Sequence, residues 1–395
     1  MKFDAPRRAV FIAGFSAFID LYAPQSVLHE LAEQFRVDPA TAGGIIGATT
    51  LAVALAAPFA GLIADRFGQR RTIIVAIFAL VPVTACLALA GGLHEMVALR
   101  FLQGLLLPAI FSSAVALTSE FWPPAEAADV IGLYILGSVL GGFSGRFLTA
   151  LAAEQFGWQG GFVLLAVVTL LAAVGLWRWL PSPPRRTAGT RVAALTGLFD
   201  HLRNPGILST CAIGASVLFA NVATFTYIDF RLARPPFLLS PAQLGSIFAV
   251  YLIGATGTPL SGRVIGMLGR RGALALAMGL GGLGMLATLA DWLPLIVFGL
   301  ALFASGVFMA QAASLSFLGQ AARHAKSTAV GLYVCCYYLG GSLGAVLPGK
   351  LWDWGGWPAC VGLVLVTTTS ATGLAMWAWR GSGGGREPPR RRLSP

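Results

Sequence analysis

The chain has 395 residues, 56% of them hydrophobic and 11% charged, with a mean hydropathy of +0.77 and a formal net charge of +11. A soluble domain carries about 25% charged residues, so these side chains cannot cover a water-facing surface, and a soluble enzyme or binding domain is excluded. The basic residues sit in short loops between apolar stretches, which is the pattern of membrane topology and not of a nucleic-acid partner.

Lys2, Arg7 and Arg8 precede the first apolar run in the manner of a signal peptide. No small-x-small cleavage site follows, and the run continues through Asp20 and Tyr22, so it reads as an uncleaved first span. Stretches long enough to cross a bilayer, about 20 apolar residues each, run over 9–28, 40–64, 72–93, 96–118, 128–152 and 160–180. They resume at 206–230, 241–265, 272–291, 293–318, 327–349 and 357–379. Short alternating segments of the kind a closed barrel needs are absent, so the spans are helices. The 49 glycines suit close helix packing in lipid. Cys86, Cys211, Cys335, Cys336 and Cys360 each lie in an apolar run without a Cys-x-x-Cys pair, and read as packing residues.

The expected plan is therefore an all-α integral membrane fold of twelve spans. It divides into a bundle over 1–180, a linker over 181–205 rich in Pro and Arg, a second bundle over 206–380, and a disordered tail over 381–395. The halves repeat. Gly132-Leu133-Tyr134 recurs as Gly331-Leu332-Tyr333, Leu140-Gly141-Gly142 as Leu339-Gly340-Gly341, and Gly157-Trp158 as Gly356-Trp357, always 199 residues on. Repeated bundles related across a membrane are a mark of transporters. With both termini inside, only Arg36, Arg146, Arg231, Arg234 and Lys350 of the 27 Lys and Arg fall on the outer side, and Arg100 lies within a span. That bias places both termini in the cytoplasm.

The second span ends in Gly61-Leu-Ile-Ala-Asp65-Arg66-Phe-Gly68-Gln69-Arg70-Arg71. Gly61 allows close packing, Asp65 sits where a neighbouring helix N-terminus can meet it, Gly68 allows a tight turn, and the arginines anchor the loop inside. The second half carries a weaker copy, Gly262 with Gly269-Arg270-Arg271 and Gly266 in the acid's place. In the fourth span Arg100, Gln103 and Gly104 share a helical face. The fifth reads Gly137-Ser138-Val-Leu-Gly141-Gly142, glycines that helix packing alone would also explain.

These segments resemble motifs of the major facilitator superfamily: its Gly-x-x-x-Asp-Arg-x-Gly-Arg-Lys/Arg loop, departing at Gln69; its Arg-x-x-Gln-Gly motif; and, with Ser138 replacing a proline, an element of its drug/proton antiporter branch. Leu21-Tyr22-Ala-Pro-Gln25, Gly132 through Arg146, and Tyr337-Tyr338-Leu-Gly-Gly are similar to YnfM-type bacterial inner-membrane transporters. The resemblance implies a monomer with a central cavity between two bundles and proton-coupled export. It further implies that Asp65 locks a cytoplasmic gate against the eleventh span near Ser327 and Thr328, and that Arg100 serves proton coupling or substrate charge. Glu120, closing the fourth span, is the candidate partner of Arg70.

Asp20 is the costliest side chain if it lies within its span, since a carboxylate at the bilayer centre costs about 2.5–3.5 kcal/mol on insertion scales. It reads either as a proton carrier or as half of an ion pair with Arg100; Arg100 reads as functional or as an interfacial, snorkelling side chain. Asp229 falls near the outer end of the seventh span, close to Arg231. Candidate cavity residues are Tyr22, Gln25, Gln103, Tyr134, Ser138, Asn221, Thr224, Tyr227, Gln311, Ser314, Tyr333, Tyr337 and Tyr338, each of which packing would also account for. No phosphate-binding Gly-x4-Gly-Lys-Ser/Thr loop is present, so the expected energy source is a proton gradient and no cofactor is called for. The expected partners are a small molecule, protons and lipid. Uptake of a sugar or organic anion is the alternative transport reading. A membrane enzyme would need clustered His, Asp or Glu, whereas His29, His94, His201 and His324 are scattered.

Overall fold

A computed structural model of the chain describes residues 4–182, 200–256, 258–322 and 324–382. Most of the expected linker and tail, and the side chain of Ser327, lie outside the described residues.

The first helix, Ala5–Leu21, starts where the Asp4 carboxylate accepts from the Arg7 amide at 3.1 Å. It does not run to residue 28 as expected: at Tyr22 it passes into a 3-10 turn, Ala23–Val27, built on Pro24, and then into Leu28–Phe35. Asp38, accepting from the Thr41 amide at 3.0 Å, opens the second span, Pro39–Phe67. The third, Gln69–Leu87, begins and ends earlier than its apolar run, because Gly68 turns the chain directly into it. The fourth is Leu93–Phe121. Pro124–Trp179 is broken by Gly157, giving a fifth span over 124–156 and a sixth over 158–179. Asn204 caps the seventh, Pro205–Leu232, and a Ser240–Gln243 capping box opens the eighth. The eighth is segmented, as Pro241–Ile247, Val250–Thr256 and the part of Thr258–Ala287 before Gly269; the ninth follows that glycine. Leu293–Ala321 is the tenth, and Lys326–Ala378, interrupted at Gly355 and Gly356, supplies the eleventh and twelfth.

The repeat reaches the backbone. Gly68 and Gly269 turn the chain with φ of 90° and 69°, and Gly157 and Gly356 with 68° and 58°, in the left-handed region that a side chain would strain. Arg70 donates to the carbonyls of Leu180 and Trp177, both at 2.9 Å, at the end of the sixth span, and Arg271 donates to that of Met376 at 2.6 Å near the end of the twelfth. Each arginine thus donates to carbonyls at the C-terminal end of a helix, and Met376 accepts from Arg380 as well. A Cβ on Gly137, Gly141 or Gly145 would overlap the carbonyls of Phe11, Phe15 or Ile19, and one on Gly340 or Gly344 those of Ala215 or Phe219. The fifth and first spans, and likewise the eleventh and seventh, are in backbone contact.

At the end opposite the basic loops the halves are closed on each other. The second span packs on the eleventh and the fifth on the eighth. The Ser342 hydroxyl donates to the Gly47 carbonyl at 3.0 Å, the Tyr227 hydroxyl reaches that of Pro39 at 3.4 Å, and Glu154 accepts from the Ser240 hydroxyl and Ala242 amide. At the basic end Asp65 and Arg66 are exposed, and no hydrogen bond or ion pair engages Asp65 among the described residues.

Candidate functional site

Two charged centres are buried where the spans converge. The first lies inside the first bundle. Asp20 is 1% exposed, and its carboxylate accepts from the hydroxyls of Thr84 in the third span at 3.0 Å and Thr169 in the sixth at 2.9 Å. Arg100, fully buried, donates to the Asp20 carbonyl at 2.8 Å, the Leu21 carbonyl at 2.5 Å and the Gln103 Oε1 at 2.5 Å. Gln103 Nε2 donates to Thr84 at 2.7 Å, closing a chain from arginine to carboxylate. The ion pair considered for Asp20 is therefore not what holds it: among the described residues no cation pairs with the carboxylate, and Arg100 reads the backbone beside it. Nor does Arg100 snorkel. Hydrogen bonds to a charged group are worth roughly 1.5–3 kcal/mol each, so two hydroxyls match the cost of placing a carboxylate in lipid.

The second centre lies between the halves. Arg146, 3% exposed, donates from Nε to Gln25 Oε1 at 2.8 Å and from Nη1 to the Gly142 carbonyl at 2.5 Å. Its guanidinium carbon lies 5.0 Å from the ring centre of Tyr22, 4.8 Å from Phe248 and 4.9 Å from Tyr251. Such contacts contribute up to about 2 kcal/mol when desolvated. Gln25 passes the connection on by donating to Thr226 of the seventh span at 3.0 Å, and Tyr251 donates to Asn221 at 3.0 Å. Above this cage the His29 amide and Nδ1 lie 3.2 and 3.0 Å from Asp229 Oδ2. Asp229 thus faces His29 across the halves, and Arg231 turns instead to Asp291 and the carbonyls of Leu289 and Ala290.

The remaining candidates divide. Tyr338 stacks on Phe111 with ring centres 6.3 Å apart and meets Tyr337 edge-on at 5.6 Å, so two spans of opposite halves present rings to each other. Tyr134 and Ser138 lie on the fifth span, where the Ser138 hydroxyl bonds back to the Ile135 carbonyl. Three others are packing residues: Thr224 donates to the Met285 sulfur inside the second bundle, Ser314 bonds back to Ala310, and Tyr333 packs with Ile207, Cys211 and Leu318. Tyr227 belongs to the closed end, and Gln311 is half-buried on the tenth span. Glu120 accepts from Gln69 Nε2 at 3.5 Å and not from Arg70, which is committed to the sixth span; the residue that departs from the family loop is the one that reaches the acid. Thr84 and Thr169 gave no sequence signal, since threonines in spans usually bond their own helix. Arg146 did carry one, a charge inside an apolar run, but charge counting assigned it to the outer boundary.

Comparison with known proteins agrees with this architecture. Residues 10–234 match the Major Facilitator Superfamily. An inner membrane transport protein, YnfM, of Escherichia coli K12 is 30% identical over 363 residues, covering 91% of this chain and 87% of its own. An uncharacterized transporter of Buchnera aphidicola is 29% identical over 379 residues, 95% and 91% of the two chains. The crystal structure of a bacterial homologue of the human lysosomal transporter Spinster, inward-facing and occupied, superimposes with a TM-score of 0.76 at 18% identity, over 95% of this chain and 96% of that one. Twelve helical spans in two repeated bundles, a profile match over more than half the chain and transporter relatives along nearly all of it establish that this multi-pass membrane protein belongs to the major facilitator superfamily of transporters.

Proposed function

We propose that the protein moves a small molecule by proton-coupled alternating access, with Asp20 as the proton carrier. The observation that carries this reading is a buried carboxylate held by two hydroxyls and, among the described residues, paired with no cation. A threonine hydroxyl both donates and accepts, so Thr84 and Thr169 can bond Asp20 whether it is ionised or protonated. An arginine in their place would trap one charge state. Arg100 and Gln103 tie that carboxylate to the backbone preceding Tyr22 and Gln25, so a proton gained or lost is felt at the junction between halves.

The protein sits in a bacterial inner membrane with both termini in the cytoplasm, a reading supported by the excess of Lys and Arg in the loops of one side. In that orientation the conformation described is inward-facing, with Asp65 released, and Asp65 engages the eleventh span near Ser327 and Thr328 when the inner end closes. The protein acts as a monomer. Export is the first reading, on the likeness of its motifs to drug/proton antiporters; uptake of an organic anion is the second, favoured by Arg146. Flux into proteoliposomes under an imposed pH gradient, screened against dyes, sugars and organic acids, tests the proposal and fixes the direction. Asp20→Asn is expected to stop gradient-driven flux while leaving substrate counterflow. Undiminished gradient-driven flux in that variant removes Asp20 from the mechanism.

A further inference from the structure

We infer that Arg146 is the substrate anchor, taking the carboxylate of an aromatic monocarboxylate between the two halves; this rests on the transport reading above. The first argument is charge. Arginine stays ionised in proteins, and a cation in a dry site calls for a counter-charge. No ion pair involves Arg146 among the described residues. The two buried carboxylates among the described residues are engaged elsewhere, Asp20 by Thr84 and Thr169 and Asp229 by His29. The protein supplies rings where an acid would normally stand.

The second argument is the shape of what remains. The guanidinium is a flat fork of five N–H donors. Nε is committed to Gln25 and Nη1 to Gly142, the rings of Tyr22, Phe248 and Tyr251 lie around the group, and nothing bonds Nη2 among the described residues. What is left is the in-plane Nη edge, which accepts one planar carboxylate end-on. A second carboxylate would find no cation, and a cationic ligand would meet a fixed positive charge.

The third argument is the neighbourhood. Tyr22 at the end of the first span and Tyr251 on the eighth bring rings of both halves to the guanidinium, and Tyr338 of the eleventh span stacks on Phe111 of the fourth and meets Tyr337 edge-on. A flat apolar body extending from the carboxylate meets rings of both halves, in offset or edge-on contacts of about 0.5–1.5 kcal/mol each. The anchor is also mechanically placed. Gln25 joins Arg146 to Thr226 of the other half, so a ligand that draws the guanidinium toward itself competes for a bond that helps close the outer end.

Binding to the purified full-length protein in lipid nanodiscs tests this, with radiolabelled benzoate as probe and benzamide and benzyltrimethylammonium as competitors. Benzoate is expected to bind and to be displaced at least tenfold better by unlabelled benzoate than by benzamide, and not by the cation. Arg146→Gln is expected to abolish binding and Arg146→Lys, which keeps the charge but not the fork, to weaken it at least tenfold. Arg36→Gln, exposed at the outer end, leaves it unchanged. Absent benzoate binding, equal displacement by benzamide, or binding retained in a folded Arg146→Gln protein overturns the proposal; the competition on the unaltered protein decides it even if the variants do not fold. Gradient-driven flux of another compound that survives Arg146→Gln would sink the anchor and leave the transport reading standing. Benzoate binding with no gradient-driven flux of any compound would do the reverse.

Discussion

The two bundles share a scaffold down to single turns, yet ionisable chemistry is buried inside the first and not at the matching place in the second. The first and seventh helices begin 200 residues apart, at Ala5 and Pro205, and the fourth and tenth span Leu93–Phe121 and Leu293–Ala321. At that interval Asp20, Arg100 and Gln103 give way to Ala220, Leu300 and Phe303, and Thr84, counted from the matching turns at Gly68 and Gly269, gives way to Met285. Leu300 and Phe303 are as buried as the residues they replace. Turning glycines and backbone contacts persist in both halves because any two packed helices need them. A charge in lipid costs about 2.5–3.5 kcal/mol, and on the proposed mechanism only the half that carries the proton retains it. The halves meet at their own equivalents: His29 faces Asp229 at an interval of 200 and Gln25 faces Thr226 at 201, so the closed end forms where the repeat axis passes.

The contrast can be broken most directly at Arg100. Arg100→Leu leaves the Gln103 Oε1 and two backbone carbonyls without their donor, at about 1–3 kcal/mol for each acceptor left unsatisfied, and is expected to abolish gradient-driven flux. Leu300→Met at the matching site should cost less than about 1.5 kcal/mol and leave flux intact. Thermal unfolding in detergent and proteoliposome flux read both, and similar losses in the two variants would mean the halves are equally specialised. The scaffold should behave in the opposite way. Gly141→Val and Gly340→Val each drive a side chain into a backbone carbonyl and should cost about 1–3 kcal/mol, alike in the two halves; a clear inequality in unfolding temperature would show that the contacts are not equivalent. The smallest effect is expected at the entry to the second span. Asp38→Ala removes a cap worth about 1 kcal/mol. The Thr41 hydroxyl, then its amide, hold the Asp38 carboxyl below its usual range. Its contribution is therefore complete above the ordinary aspartate value and fades as pH falls through the lowered one. The difference in stability between Asp38→Ala and the unaltered protein should shrink in acid; a difference constant with pH would place the cap's effect elsewhere.

Much of this molecule was legible before folding, for a plain reason. Lipid forces every spanning backbone to satisfy its own hydrogen bonds, so a run of about 20 apolar residues is already a helix, and the repeat, the turn at Gly68 and the burial cost of Asp20 follow from residue chemistry alone. Arg70 and Arg146 show where that reading ends. A basic residue beside a span looks the same whether it anchors to lipid headgroups, closes a helix end on another span, or sits caged by three rings. Thr84 and Thr169 look the same whether they bond their own helix or an aspartate on another. Partners such as these lie between 64 and 149 residues away in the chain. Local pattern determined the spans and the price of each buried charge; helix packing alone decided which side chain met which, because direction and distance across the bundle are not written in any one segment.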